Sequence, residues 1–525
     1  MSFGAHEDLQ LLALLVALGA LLALAPALRV PVPVLLVSGG VVLGFIPGLP
    51  RIVLPPDIVL VALLPPLLYS AAFFTSLRDL RANLRPITLL SVGLVGATMT
   101  GVAAVAHAWL GLSWPAAFTL GAVVSPTDAL AVTEIAGRVA LPRRIVAILE
   151  GESLVNDGTA LVLYKAAVGA AVGGTFSLLD TSGRIVLNVV GGIAIGLAVG
   201  WVVRQVRRRI DDPPIEVALA VLTGYLAYLP ASALGVSGVL AAVTVGVYMG
   251  WYTPELTSVE TRLSGNAFWE ILTFLVNALL FVLVGLQLRP IVHSLSGSRD
   301  YVADAALICA SVLVIRIVCM PILTYVPRFL FRSIRERDPY PPWQAPAIIA
   351  WSGIRGGVSL AAALALPIGF PDRDLIVFVT FCVIVVTLVG QGMTLPSLIR
   401  AIRVPADDDG ATREDAKARI KAAEAALARL EELVAEGAVH PDSAERLRGA
   451  YGFRLNRFRE RLDGSGNGEI EQRSARYQRA RRELLDAERG AVVSLRNAGL
   501  INDEVMNRVQ RDIDLEASRL DVTPG

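Results

Sequence analysis

The chain is poor in the residues that build disulfide frameworks and metal centres. Its 525 residues include only three cysteines and four histidines. Cys309, Cys319 and Cys382 lie in apolar runs and lack the paired spacing of metal ligands. We interpret them as small buried residues. The histidines are scattered along the chain, at His6, His107, His293 and His440. We therefore expect neither a resident metal nor a cofactor.

Charge is also scarce, and it is unevenly distributed. Charged residues make up 18% of the chain, and Lys165 is the only lysine before Lys417. The region after about residue 405 is densely charged, so the formal net charge of +1 averages two different regions. Basic and acidic residues are interspersed in that region, which argues against a basic face that binds anionic lipid. We expect no nucleic-acid partner.

Hydrophobic residues are abundant, at 54% of the chain with a mean hydropathy of +0.60. Apolar runs of about 20 residues predict transmembrane helices, which satisfy their backbone polar groups internally. We predict an all-α polytopic membrane domain over residues 1–404 and a cytosolic α-helical domain over residues 405–525. Met1–Asp8 lacks a basic signal-peptide start, so the first run is expected to be a retained helix. The thirteen predicted spans are 9–27, 31–48, 57–75, 86–108, 115–136, 143–171, 185–206, 215–231, 235–251, 267–288, 303–326, 344–367 and 375–399.

Arginines in the loops predict the orientation, because basic residues collect on the cytoplasmic side. One side of the predicted membrane domain has five, namely Arg51, Arg184, Arg289, Arg299 and Arg373. The other side has sixteen, at positions 29, 78, 81, 85, 138, 143, 144, 204, 207, 208, 209, 262, 328, 332, 335 and 337. The N-terminus is therefore predicted outside and the C-terminal domain in the cytoplasm. Membrane lipid is the expected surrounding.

The sixth span carries an unusual polar cluster. Glu150, Glu152, Asn156 and Asp157 lie within an apolar segment of membrane-spanning length. A carboxylate inside a bilayer costs about 2.5–3.5 kcal/mol even on a lenient insertion scale, so it is rare without a role. Glu152 and Asn156 share one helix face, and Ser153 and Asp157 share the next. The cluster indicates a site that handles a cation or a proton.

Two other spans contain helix breakers beside a charge. The fifth includes Ser125-Pro126-Thr127-Asp128, and the twelfth includes Gly353-Ile354-Arg355-Gly356-Gly357. Interrupted spans in corresponding positions of two halves point to a transporter site. We predict inverted six-helix repeats, spans 1–6 and 8–13, with two broken crossed helices. Asp128 would compensate a positive helix N-terminus and Arg355 a negative C-terminus. Leu64-Pro65-Pro66 predicts a kink within the third span.

These residues suit exchange of a cation for a proton. Such a site must hold one or the other, which a carboxylate can do because burial disfavours its charge and a bound cation favours it. Asp157 is our candidate carrier. Hard monovalent cations prefer oxygen ligands, available from Asp157, Asp128, Ser153 and the carbonyls around Thr127. Asn156 is grouped with them, although its amide is better suited to orienting the broken helix.

The stretch Gly151-Glu152-Ser153-Leu154-Val155-Asn156-Asp157-Gly158 resembles the Asn-Asp motif of monovalent cation/proton antiporters of the sodium/proton exchanger type. The resemblance covers about residues 9–400. It implies that Asp157 carries the proton and the cation, that Thr127, Asp128 and Ser153 help to coordinate the ion, and that Glu152 pairs with Arg316. It further implies electroneutral exchange, a homodimer, and movement of a core bundle against a scaffold in a bacterial cytoplasmic membrane.

One position departs from the pattern. Many relatives carry an acidic residue where this chain has Ser70, which leaves the cation open: Na⁺ or Li⁺ is expected, and K⁺ is the alternative. Glu270, near the predicted cytoplasmic end of its span, is either a gating residue or a solvated charge. Lys165 either reaches toward the outer face or pairs with the site carboxylates.

Two other function classes would also place polar residues in a membrane. A cation channel tolerates such carboxylates but does not need Asp157 to titrate. An intramembrane enzyme using Ser153 as nucleophile lacks a general base at suitable spacing on that helix, so we expect no enzyme activity.

The cytosolic region reads as helices separated by short breaks. Helices are predicted over 411–437, 442–461, 469–498 and 501–519. Asp407–Gly410 is expected to be a linker, and Gly464–Gly468 a break.

Overall fold

The computed structural model describes residues 5–28, 30–46, 58–128, 131–132, 141–173, 178–295, 300–403, 408–463 and 469–521. Within these ranges the chain is helical and contains no strand. It divides into two compact units, Met1–Ala406 and Asp407–Gly525. The fold class predicted from hydropathy is thus all-α in the described part of the chain.

The first unit is built from nineteen helices in the described ranges. They are α1 Ala5–Leu28, α2 Val32–Phe45, α3 Leu64–Phe74, α4 Leu77–Ala82, α5 Leu84–Thr88, α6 Val95–Leu110, α7 Trp114–Val124, α8 Arg143–Gly173, α9 Leu178–Arg207, α10 Pro213–Ala233, α11 Gly238–Leu256, α12 Val259–Leu286, α13 Leu288–Ser294, α14 Tyr301–Leu330, α15 Arg332–Arg337, α16 Gln344–Trp351, α17 Gly357–Leu364, α18 Arg373–Val385 and α19 Gly392–Ile402. Three π-helical stretches, Ile58–Leu63, Leu89–Leu94 and Val386–Gln391, adjoin these α-helices.

Six continuous helical stretches in the described residues are long and apolar enough to cross a membrane. They are Leu84–Leu110, Val186–Arg207, Pro213–Ala233, Val259–Ser294, Tyr301–Leu330 and Arg373–Ile402. Shorter apolar helices occupy Val16–Ala25, Val32–Phe45, Val61–Phe74 and Trp114–Val124. The chain is therefore a multi-span membrane protein, while thirteen spans and an inverted repeat stay predictions.

Both predicted helix breaks are present. α7 ends at Val124 and residues 125–128 are not helical, while α16 ends at Trp351 and α17 begins at Gly357. Residues 129–130 and 133–140 of the predicted fifth span lie outside the described residues. In the third span, Pro65 and Pro66 occupy the first turn of α3, directly after the π-helical stretch. Because the helical run continues without a break from Ile58 to Phe74, the two prolines lie inside it, as the sequence predicts. The π-helical turn directly before them lies where the missing proline N–H groups interrupt the α-helical hydrogen-bond pattern.

The second unit consists of α20 Asp408–Ala435, α21 Pro441–Asp463, α22 Glu469–Asn497 and α23 Asp503–Asp521. α20 packs on α21, where Arg448 pairs with Glu431 at 2.8 Å, and α22 packs on α23, where Arg489 pairs with Asp514 at 2.7 Å. The expected linker is wrong for residues 408–410, which are already helical; acidic residues favour a helix N-terminus. Asp407 and the expected break at Gly464–Gly468 lie outside the described residues.

Candidate ion-binding site

The two helix breaks cross each other. The backbone N–H of Asp128, in the first break, donates a 2.7 Å hydrogen bond to the carbonyl of Ile354 in the second. The N–H of Arg355 donates to Thr387 Oγ1 at 3.1 Å. Glycine is required at Gly356, because a Cβ there would collide with the carboxylate of Asp128. Backbone N–H groups that leave their helices are thus hydrogen-bonded at the crossing, one to the other break and one to a threonine hydroxyl.

Arginine side chains cap the helix ends that the breaks expose. Arg355 Nε donates to the carbonyl of Val124, the last residue of α7, at 3.1 Å. Arg316 donates from Nε to the carbonyl of Ala350 at 3.1 Å and from Nη2 to that of Ile349 at 3.0 Å, at the end of α16. Arg373 donates to the carbonyls of Leu364 and Leu366, at the end of α17, at 3.0 Å each. Three negative helix ends therefore meet three cations.

Asp128 lies beside the start of a helix. Its Oδ1 accepts a 3.2 Å hydrogen bond from the N–H of Ala131. Its Oδ2 faces Gly356, which immediately precedes the first residue of α17. A carboxylate at this position opposes the positive end of a helix dipole.

The motif helix α8 is fastened to the first break through Thr127. Ser153 Oγ donates to the Thr127 carbonyl at 2.7 Å, and Asn156 Nδ2 donates to Thr127 Oγ1 at 2.8 Å. The Thr127 hydroxyl in turn donates to Glu152 Oε1 at 3.3 Å. Asn156 is 1% exposed and lies behind the cavity wall described below, so its side chain positions Thr127.

Glu152 and Arg316 form a buried ion pair. Arg316 Nη1 and Nη2 donate to Glu152 Oε1 and Oε2 at 2.7 and 3.0 Å, and both residues are 2% exposed. The pairing places a fork of donors on a fork of acceptors. Because Arg316 also caps α16, the pair joins the motif helix to the second broken helix.

A cavity of about 390 Å³ opens beside these residues. Its wall includes the side chains of Asp157, Asp128, Thr127 and Ser153, which the sequence grouped as ion ligands. Ser70, Glu150 and Glu270 also line it, whereas Lys165 is exposed on α8 away from the wall. Oxygen atoms of both carboxylates, a threonine and a serine therefore border one space, the donor set that a hard monovalent cation prefers.

Some wall residues escaped the sequence interpretation. Asn266, Thr273 and Asn277 on α12 line the cavity together with Glu270. Their spacing of four, three and four residues places them on one helix face, and this pattern was available in the sequence. The capping contacts of Arg316 and Arg373 left no such signal, because they depend on tertiary structure.

Comparisons with known proteins agree with this geometry. Residues 12–401 match the family model described as sodium/hydrogen exchanger, transmembrane. The chain is 38% identical over 506 residues to an uncharacterised Na⁺/H⁺ exchanger of Mycobacterium tuberculosis, covering 94% of this chain and 92% of that protein. It is 33% identical over 390 residues to a sodium, potassium, lithium and rubidium/H⁺ antiporter of Bacillus pumilus, covering 70% and 58%. The sodium proton antiporter MjNhaP1 of Methanocaldococcus jannaschii shares the fold, with a TM-score of 0.62 and 19% identity over 75% of this chain and 98% of that one.

Proposed function

The chain belongs to the sodium/hydrogen exchanger family, and from that premise we propose that it exchanges Na⁺ or Li⁺ for H⁺ across a bacterial cytoplasmic membrane. The observation that carries the proposal is the shared wall: Asp157 and Asp128 border one cavity with Thr127 and Ser153. A bare cation needs several oxygens in place of its water shell, and a proton needs one carboxylate oxygen. The same wall can serve either.

Asp157 is the proposed carrier. A cation bound there is held by the charge of the carboxylate, and protonation removes that charge, so the two substrates compete. Asp128 differs because it already accepts the N–H of Ala131 and faces the start of α17. The neighbour of Asp157 is the amide Asn156, which does not titrate. One titrating group gives one proton per cation, and we propose electroneutral exchange.

The route to the site is proposed from the loop charges. The cavity wall reaches Asn266 and Glu270, near Arg262, on the arginine-rich side of the membrane domain. By the distribution of arginines this side is cytoplasmic and the N-terminus is outside. Transport then needs the bundle with α7, α8 and α17 to move against the scaffold with α3 and α10–α12. We propose that the scaffold forms a homodimer, as the family resemblance implies.

Potassium is the second candidate cation. The Bacillus pumilus relative is described as acting on sodium, potassium, lithium and rubidium. Ser70 lines the cavity here, and its hydroxyl donates to the carbonyl of Leu67 at 2.9 Å. A site with fewer charges binds a strongly hydrated ion such as Li⁺ or Na⁺ less tightly relative to K⁺.

Purified protein in proteoliposomes tests the proposal. An imposed proton gradient is followed with a pH-sensitive dye while NaCl, LiCl or KCl is added, with empty liposomes as the control. We expect Na⁺ or Li⁺ to dissipate the gradient, at a rate unaffected by a membrane potential set with valinomycin in separate Na⁺ assays. A response to K⁺ alone would show that K⁺ is the transported cation, and the proposal of cation/proton exchange would stand. No response to any of the three from folded protein would overturn the proposal.

A further inference from the structure

The cavity changes from polar to apolar along the scaffold helix α12. Its wall residues on that helix are Asn266, Trp269, Glu270, Thr273 and Asn277, followed by Leu280. Apart from Trp269, the residues before Leu280 are polar. The Thr273 hydroxyl donates to its own helix, at the carbonyl of Trp269, 2.7 Å away, so its oxygen lone pairs remain as acceptors. The polar residues start at the arginine-rich end, and Leu280 is 5% exposed at the other.

A second helix is also apolar at the far end of the cavity. On α3 the wall mixes Thr75 and Ser70 with Phe74 and Ala71 toward the arginine-rich end, whereas the other end consists of Leu68, Leu67 and Leu64. These three leucines are between 2% and 7% exposed. Leu154 on the motif helix, 5% exposed, also lines the cavity and packs with Leu64 and Leu68 in one core cluster. An apolar end on several helices denies a passing ion any oxygen ligand.

Two glycines of the mobile bundle receive leucines of the scaffold here. Leu280 presses on Gly357, the first residue of α17: a Cβ on Gly357 would lie 2.7 Å from Leu280 Cγ and closer still to a methyl group. Leu240 presses on Gly158, where a Cβ would lie 2.8 Å from Leu240 Cδ2. Gly158 follows Asp157, and Gly357 follows the glycine that touches Asp128. The two leucine–glycine contacts therefore lie directly beside the two carboxylates of the ion site.

We propose that Leu280, seated on Gly357, is the gate that closes the ion site on the side away from the arginine-rich face. The proposal rests on the proposed function, because a gate matters only where a substrate must be held from one side. It gives Gly357 a second role besides starting α17: the missing side chain makes the seat for Leu280. Movement of the bundle must unseat the leucine before the site can open outward.

The contact between Leu280 and Gly357 is tested by adding a methyl group at Gly357 and then removing the leucine side chain that it would meet. Gly357→Ala inserts a methyl group into Leu280, and we expect at least a tenfold loss of exchange rate, or ~1.4 kcal/mol. Leu280→Ala removes the three atoms that the added methyl group would meet, and the methyl group at Gly357 fills part of the space that they leave. The double variant Gly357→Ala with Leu280→Ala should therefore recover part of the rate. Gly390→Ala is the matched control, because nothing lies within 4 Å of a Cβ there. Failure of the double variant to recover, with protein that unfolds at the wild-type temperature, would contradict the seat.

Solvent access tests the gate. Ser359, 1% exposed on the cavity wall, is replaced by cysteine in a protein with Cys309, Cys319 and Cys382 changed to serine. A membrane-impermeant maleimide is added to right-side-out or inside-out vesicles. We expect slow labelling from the side opposite the arginine-rich face, and about tenfold faster labelling from that side with Leu280→Ala, a change of ~1.4 kcal/mol in opening. Leu279→Ala, on an exposed side chain, should leave the rate unchanged.

An unchanged rate in Leu280→Ala would overturn the gate. Labelling does not depend on transport, so it measures how often the gate opens even if the wild type exchanges none of the tested cations. The failure of the proposed function is therefore distinguishable from failure of the gate.

Discussion

At the scale of single residues, charge is the feature that the sequence displays best. Glu152, Asp157 and Arg355 are conspicuous because ionised groups are rare within apolar segments. Their partners are less visible, since Arg316 and Glu152 are separated by 164 positions. The family resemblance supplied that partner. The second role of Arg316, at the end of α16, came only from the structure.

Loss of one member of the Glu152–Arg316 pair is expected to destabilise the protein strongly. Glu152→Gln leaves a buried guanidinium without its anion, which costs roughly 3–5 kcal/mol in such pairs. Combining it with Arg316→Met removes the stranded charge but also the caps on Ala350 and Ile349. We expect the double variant to regain only part of the free energy of unfolding, measured by denaturant titration in detergent. Full recovery would show that the caps contribute nothing.

Ser153 provides a milder test of the site. Ser153→Ala removes the hydrogen bond to the Thr127 carbonyl, worth roughly 0.5–1.5 kcal/mol, so we expect the apparent KM for the cation to rise about two- to tenfold. Thr159→Val is the control, because that hydroxyl bonds within its own helix, to the carbonyl of Val155 at 3.0 Å. Initial rates of exchange at several cation concentrations measure both. Equal changes in KM in the two variants would show that Ser153 does not contribute to the ion site.

At the scale of elements, the positions of the helix breaks could be predicted from the sequence, but the contacts between the broken helices could not. Ser125-Pro126 and the glycines around Arg355 announced two interruptions, because proline and glycine act on the adjacent backbone. No sequence pattern predicted that the N–H of Asp128 would donate a hydrogen bond to the carbonyl of Ile354. The same limit explains the expected linker at residues 407–410: a run of aspartates suggests a loop, yet Asp408 and Asp409 also suit the first turn of α20.

The cap at the end of α17 makes a prediction at this scale. Arg373→Gln removes a cation from the carbonyls of Leu364 and Leu366, and we expect the free energy of unfolding to fall by about 1 kcal/mol. Arg332→Gln is the comparison, since that side chain is 81% exposed and pairs with Glu336 along its own helix. Thermal unfolding in one detergent compares the two. Equal stabilities would mean that the dipole of α17 needs no compensation from Arg373.

At the scale of the whole molecule, composition predicted the plan of a membrane unit followed by a charged helical unit. Hydropathy works here because the bilayer permits few architectures. It counts spans less well, because α3, α7, α16 and α17 are short or interrupted. The breaks that shorten them also bring the site together. The loop arginines remain the basis of the proposed orientation.

The central claim, that one carboxylate holds either a cation or a proton, is tested most directly by counting protons released on binding. Isothermal titration of purified protein with NaCl, in buffers of different ionisation enthalpy at one pH below the binding optimum, gives that count. Our account predicts release of up to one proton per Na⁺ bound, and loss of both the binding and the release in Asp157→Asn. Na⁺ binding without proton release, or release unchanged in Asp157→Asn, would contradict it.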